Sequence, residues 1–460
     1  MAIKPASLFA IALAGTMATP LSAQSSSTSQ QLAELRAQME AMNARIAELE
    51  SELARTEAAN TAQDAIIAAQ AEKIAAAPTP GPAPAKPATE IAFKGAPEIK
   101  GEGGWSFKPR GRLMFDAGIT DAPDSTGRDD GFGNEGRRLR LGVEGAMPGG
   151  FGYKAELEFA GNETELVDAY LNYGKGSLEV IVGQHNNFQS LDELTSSLHS
   201  SFIERAAFTD AFGFERRLGV SLTYAQGMVL AQAGAFTDNI ADTGSNNRGI
   251  DGRLVVMPKL GNAQLHLGGS LHYNHLGTDG DSVRYRQRPF VHFTGERFVN
   301  TGTLPADSET GYGLEAAVLS GRFHAAAEGF WQKVNLASDA EDPTFFGGYA
   351  EAGVFLTKGD TRGYKDGKWD RVRPANPVGK GGIGSVQLNA RYDYLDLSDA
   401  GIVGGVQEAW QAALLWKPTA YTLLSLNYGI QQYEDAVHPA ADGDRDYSVD
   451  AFGVRAQIDF

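Results

Sequence analysis

Cysteine is absent from all 460 positions, which excludes disulfide scaffolding, thiol nucleophiles and cysteine-bound metal. Also missing is any apolar run of the roughly 20 residues that a spanning helix requires. An early run from Leu8 to Met17 is too short, follows Lys4 and leads to Ser22-Ala23 before Gln24. That layout is an export signal, so residues 1–23 are expected to be removed and to take no part in the fold. Positive charge is in deficit, with 40 Lys and Arg against 57 Asp and Glu and a formal charge of -17. Such a balance disfavours nucleic acid as a partner. It leaves an anion path open, because a few cations in a narrow, low-dielectric channel can outweigh distant carboxylates. No GxSxG elbow, HExxH pair or phosphate-cradling glycine loop stands out, so neither an enzyme nor a cofactor or metal site is expected.

Lack of a spanning helix leaves one membrane architecture available. A closed β-barrel also satisfies every backbone group inside lipid, and its strands need only alternate apolar with polar residues.

Three segments are present. Over residues 24–74 the apolar positions Leu32, Leu35, Met39, Met42, Ile46, Leu49 and Leu53 alternate steps of three and four, the a/d seam of a coiled coil. Its register continues through Thr56, Asn60, Gln63, Ile67, Gln70 and Ile74, where polar positions can fix register and strand number. A helix of that length reaches about 60 Å and is expected to form a self-associating periplasmic stalk. Residues 75–104 then turn to Pro and Ala, as in APTPGPAPAKP, which favours an extended linker.

From residue 105 to 460 the period becomes two. In 107–117, Phe107, Leu113 and Phe115 alternate with Lys108, Arg110, Arg112 and Asp116. Comparable alternation recurs down the chain to 447–460, with 283–294 among the candidates, and the candidates come to seventeen in all. Single-chain bacterial barrels have even strand numbers, so the prediction is an antiparallel transmembrane barrel of about 16 strands. The last candidate places Phe452, Val454, Ala456, Ile458 and Phe460 on one face and Arg455, Gln457 and Asp459 on the other. Short connections such as 147–150, 174–176 and 320–321 are expected at the periplasmic end, and long ones such as 120–133, 238–247 and 398–405 outside.

Arginines recur on the predicted lumen face, at Arg110 and Arg112, Arg138 and Arg140, and Arg284, Arg286 and Arg288. Same-face neighbours in a strand lie about 7 Å apart, so such runs form a ladder of fixed charge matched to phosphate or carboxylate oxygens. The competing reading is bracing against lumenal Asp116, Glu144, Glu156 and Glu158, and bracing and conduction can share residues. The stretch 186–215 does not alternate, and its length suits a loop folded into the barrel. His266 and His272 share one inward face with Ser270 and Asn274, where polar lumen residues are a sufficient explanation.

Several short pieces in order resemble the phosphate-selective porin O/P family: Gly111-Arg112-Leu113, Gly136-Arg137-Arg138-Leu139-Arg140-Leu141-Gly142, Asp168-Ala169-Tyr170, Val182-Gly183-Gln184, Leu194-Thr195-Ser196-Ser197, Glu204-Arg205 and Arg216-Arg217-Leu218-Gly219. Gly348-Tyr349-Ala350-Glu351, Gly363-Tyr364 and Arg391-Tyr392-Asp393 keep the order, and the likeness covers most of 105–460. The resemblance implies a trimeric outer-membrane porin of sixteen strands, with an inward third loop and an arginine ladder drawing anions to a constriction. Arg112, Arg138, Arg284, Arg286 and Arg288 then look like ladder members, and Ser196, Ser197 and His199 like the constriction loop. Phosphate-specific members carry a lysine just after the serine pair, where this chain has Leu198. That departure favours general anion attraction over phosphate specificity. The expected function is passive diffusion of small anionic solutes, with phosphate or polyphosphate as candidates. The alternative is a structural protein whose coiled coil tethers the outer membrane to the cell wall.

Overall fold

The computed structural model describes residues 28–75, 89–161, 163–242, 246–277 and 281–460; the expected signal peptide and residues 76–88 of the linker lie outside these. The chain divides into two compact units, Met1–Lys86 and Pro87–Phe460.

In the first unit, helix α1 (Thr28–Ala75) runs 48 residues with neither glycine nor proline in its span. On the expected seam, Met39, Met42, Ile46, Leu49, Leu53 and Ile67 are all exposed in the single chain. The seam side chains Leu32, Leu35 and Ile74 lie outside those described.

The second unit is a closed barrel of 16 antiparallel strands. They are β1 (Ser106–Asp121), β2 (Gly131–Met147), β3 (Phe151–Glu158), β4 (Glu165–Lys175), β5 (Leu178–Asn186), β6 (Arg216–Gln226), β7 (Val229–Phe236), β8 (Arg248–Val256), β9 (Ala263–His275), β10 (Leu304–Ser320), β11 (Phe323–Leu336), β12 (Thr344–Phe355), β13 (Ser385–Asp399), β14 (Ile402–Lys417), β15 (Thr422–Glu434) and β16 (Tyr447–Asp459). Each pairs with the next, and β16 pairs back onto β1 from Asp459↔Arg112 to Asp450↔Asp121. Closure leaves these strands no free edge, so the backbone is satisfied without water.

Period-two alternation becomes an inside-out distribution. Trp410, Leu314, Leu267 and Phe115 are exposed on the outer wall, while Arg391, Asp393, Gln431 and Arg455 are buried toward the lumen. Apolar outside and polar inside is the arrangement of a barrel wetted within and surrounded by lipid.

Long loops fill much of the lumen. The connection 187–215 folds inward and carries α2 (Leu191–Leu194) and α3 (Ala207–Ala211). Phe208, Phe212 and Phe214 pack there against Phe330, with Phe208 stacked on both Phe330 and Tyr349. This aromatic mass occupies the β11–β13 side and leaves open space along β1–β6.

Four expectations need correction. Residues 283–294 are not a wall strand; they belong to loop 276–303, which pairs Ser282-Val283 with Leu304-Pro305 at the start of β10 and Arg286-Gln287 with Val299-Asn300, and folds inward. Buried Tyr285 donates to Glu309 on β10, and Phe290 meets Phe202 of the other inward loop, so the alternation served loop packing. Residues 398–405 are not a long loop, because β13 and β14 continue to a tight turn at Ala400 and Gly401, both at positive φ. At the short-turn end, 356–384 is long and carries a hairpin of Gly363–Lys365 with Lys368–Asp370. The end of the expected linker is ordered too, as a hairpin of Glu90–Lys94 with Ala96–Lys100.

Candidate functional site

Loop 187–215 is latched by polar groups of the wall strands it crosses. The Glu328 carboxylate accepts hydrogen bonds from the amides of Leu191 and Asp192, each at 2.8 Å. Ser190 caps α2 by accepting from the amides of Asp192 and Glu193. Further along, Ser201 donates to Glu351 at 2.7 Å, Asn427 accepts from the amide of Ile203 at 3.0 Å, and Asp393 accepts from the amide of Ala207. Arg391 donates to the carbonyls of Glu204 and Arg205, each at 3.2 Å. These contacts come from β11, β12, β13 and β15, so the loop is held on the far wall.

Arg205 is fixed within the loop itself. It donates to the carbonyls of Asp192, Glu193 and Thr195 at 2.9, 3.0 and 2.9 Å, and pairs with Glu193 at 3.2 Å. Opposite it, the near wall supplies a series of guanidinium groups. Arg112 pairs with Glu156 at 2.9 Å and donates to the Ser197 hydroxyl at 3.0 Å. Arg140 pairs with Glu158 at 2.6 Å, Arg216 with Asp168 at 2.8 Å, and Arg110 with Glu144. Alternation alone would turn Arg137 outward. A bulge opposite Met114 and Phe115 re-aims it, and it forms a two-point pair with Glu204 at 2.7 and 3.0 Å.

Arg138 differs from these. It is only 7% exposed, and its side chain carries no ion pair or hydrogen bond among the described residues.

Two cavities meet at these groups. The one toward the long loops has a volume of ≈ 420 Å³ and reaches Asn239, Arg288 and His292. The one toward the short turns has a volume of ≈ 690 Å³; Arg110, Arg112, Lys154, Lys175 and Lys368 line it, against the carboxylates of Asp168, Glu179 and Asp366. The residues lining both are Arg138, Arg140, Arg205 and Arg216. The two cavities therefore meet at four arginines, three braced by carboxylates and one without an ion pair among the described residues. Such a neck can strip water from a passing anion and replace it with N–H donors.

The sequence-predicted residues fall into two groups. Arg112, Arg138, Arg140, Ser196 and Ser197 all line the cavity toward the short turns. Arg284 and Arg286 line neither cavity, since Tyr285 and Gln287 point inward and leave them exposed at the loop surface. Arg288 reaches the cavity toward the long loops and lies 3.3 Å from Asp210. His199 lies off the arginine path, with its carbonyl accepting from Arg362 and its ring 3.7 Å from Asp370. Burial, with Lys417 and Arg371 beside it, pushes that imidazole down to about 2, so it adds no charge. Leu198 is buried, and its carbonyl accepts from Lys417 at 3.4 Å and Gln457 at 3.3 Å. His266 and His272 are buried in wall contacts, with Tyr364 at 2.6 Å and Asp251 at 2.7 Å.

Periodicity missed Arg137, Arg205 and Arg216 as lumen groups. Arg137 needs the bulge, while Arg205 lies within a loop without alternation and Arg216 stands at its end. Their only signal was their place in the family-like pieces, Arg137 in Gly136 to Gly142, Arg205 in Glu204-Arg205 and Arg216 in Arg216-Arg217.

Comparison with known proteins adds an independent line. An uncharacterized protein of Caulobacter vibrioides is 51% identical over 395 residues, covering 82% of this chain and 79% of that protein. Among solved structures, outer-membrane expressed OmpT of Vibrio cholerae aligns with a TM-score of 0.52 at 11% identity, over 79% of this chain and 100% of that one. An anion-selective porin from Comamonas acidovorans aligns with a TM-score of 0.51 at 13% identity, over 77% and 100%. At such identities these two support the fold. The model of phosphate-selective porin O and P matches residues 107–460, and with the closed barrel already described the chain belongs to that family of outer-membrane porins.

Proposed function

We propose that this porin is a passive, anion-selective path for small solutes, with its selectivity set at the neck of Arg138, Arg140, Arg205 and Arg216. The observation that carries this reading is that these four side chains line both lumenal cavities. Carboxylates hold three of them in place, while Arg138 keeps its donors for a solute. A structural neighbour described as anion-selective lends support. Phosphate and polyphosphate are candidate solutes, but Leu198 contributes only a buried apolar side chain after the serine pair, which favours anions in general.

The functional form is a homotrimer embedded in outer-membrane lipid, in keeping with the trimer form known for OmpT of Vibrio cholerae. Residues 105–460 form the porin domain, residues 1–23 the signal peptide, and 24–74 a stalk that associates through its exposed seam as a coiled coil. The chain enters β1 from the short-turn end, which supports a periplasmic place for the stalk. No observation favours a tether to the cell wall.

Planar-bilayer recording in a KCl gradient tests the proposal. A reversal potential of the anion-selective sign is expected, and a further shift on adding phosphate would mark phosphate as a competitor of chloride. Cation selectivity overturns the arginine neck, and anion selectivity indifferent to phosphate restricts it to general anions.

A further inference from the structure

At the seam of the barrel β16 stops at Asp459, while β1 begins earlier, at Ser106. The edge this leaves is filled by the hairpin Glu90–Lys94 and Ala96–Lys100, whose second strand pairs Ile99 with Phe107 and Lys100 with Ser106. Its turn residue Gly95, at φ +85, lies against Tyr421, where an added Cβ would come within 2.7 Å of the ring.

Directly opposed residues of paired strands share a face. The register Ile91↔Ile99↔Phe107, with Phe93 opposite Pro97, therefore gathers apolar side chains on the side where Phe107 stands. Phe107 belongs with Phe115 and Ile119 to the outward face of β1. The opposite face of the hairpin is charged and carries the Lys94–Glu98 pair at 2.8 Å. Ile91, Phe93 and Ile99 are 57%, 79% and 38% exposed.

We propose that hairpin 90–100 is a membrane-interface flap, seating its apolar face at the boundary of headgroups and acyl chains in the leaflet at the short-turn end. Continuity commits this face to lipid: Ile99 adjoins Phe107 in unbroken register, and Phe107 belongs to the barrel's lipid-facing wall. An aromatic tip among headgroups with charges turned away suits that boundary, which buries apolar faces to a depth of about 5–10 Å. The flap anchors the chain where it enters the barrel and covers the one stretch of β1 that β16 does not reach.

Because the chain has no cysteine, single-cysteine variants report one site at a time. Ile91→Cys, Phe93→Cys, Glu90→Cys and Lys100→Cys would each be made in the full chain, given a nitroxide label, and reconstituted in phosphatidylethanolamine/phosphatidylglycerol vesicles. Relaxation by oxygen is expected to exceed relaxation by a water-soluble nickel chelate at 91 and 93, with the reverse order at 90 and 100. Water-like accessibility at all four positions overturns the proposal. Dipolar broadening at 91 and 93 between copies also overturns it, by making a second copy the occupant. As an independent check, Phe93→Asp is expected to expose the hairpin to added protease while conductance stays unchanged; protection equal to the parent's counts against lipid seating.

Discussion

Arg138 and Arg140 stand two apart on β2, yet only Arg140 has a carboxylate, Glu158, to hold it. A unit charge about 8 Å from a passing ion is worth about 2 kcal/mol at an effective dielectric of about 20. Salt and the remaining arginines reduce that to about 1 kcal/mol, roughly five-fold in relative permeability. Arg138→Gln is therefore expected to lower the anion-to-cation permeability ratio by about that factor, as read from reversal potentials. Heat-modifiable gel mobility should not change, because no ion pair is broken. The double variant Arg284→Ala with Arg286→Ala should leave selectivity untouched, since neither side chain lines the path. A shift with the double variant and none with Arg138→Gln would move the selective site to loop 276–303.

At the scale of elements, the inward loop 187–215 depends on side chains that reach from the wall. Glu328 accepts from two buried amides of that loop and from the Tyr349 hydroxyl at 2.9 Å. Glu328→Ala leaves those amides without an acceptor, at a cost of roughly 1–3 kcal/mol each. The expected result is a noisier, larger single-channel conductance from a barrel that still assembles; a quiet, parental trace would show that the other latches suffice. From the opposite end, the hairpin of loop 356–384 brings the amide of Trp369 to the Thr195 hydroxyl at 3.3 Å and the carbonyl of Gly367 to Arg253 at 2.8 Å. Replacing residues 361–372 by a short Gly-Ser turn should raise conductance while the sign of selectivity persists. Loss of the sign would place part of the filter on Lys368.

For the whole molecule, the exposed seam of α1 is the surface most in need of a partner. Removing residues 28–75 is expected to leave a heat-modifiable barrel of unchanged single-pore conductance, with its oligomer dissociating at a lower temperature in detergent. An oligomer of equal heat stability would count against a self-associating stalk. The bilayer is the other large partner proposed, and the apolar outer face of the wall suits it. Polar groups gather in the lumen as ion-paired chains such as Arg455 with Asp116 and Glu204, so closure and bracing are one design.

Local pattern carried the barrel. Alternation along Phe452 to Phe460 names the lipid face and the lumen face with no knowledge of neighbours, because side chains on a strand must point to opposite sides. The same rule put Arg284 and Arg286 on the path, where they line neither cavity, since alternation records which side of an extended segment is buried and not what buries it. It also missed Arg137, whose direction comes from a bulge, and Arg205, whose direction comes from three carbonyls of its own loop. By itself, then, the sequence determined the strands, their two faces and a recurrence of lumenal arginine, all consequences of local periodicity. Only the tertiary structure decided which arginines meet. That depends on where two loops fold inside the cylinder, and contacts between residues more than a hundred positions apart, such as Leu191 with Glu328, leave no periodic trace.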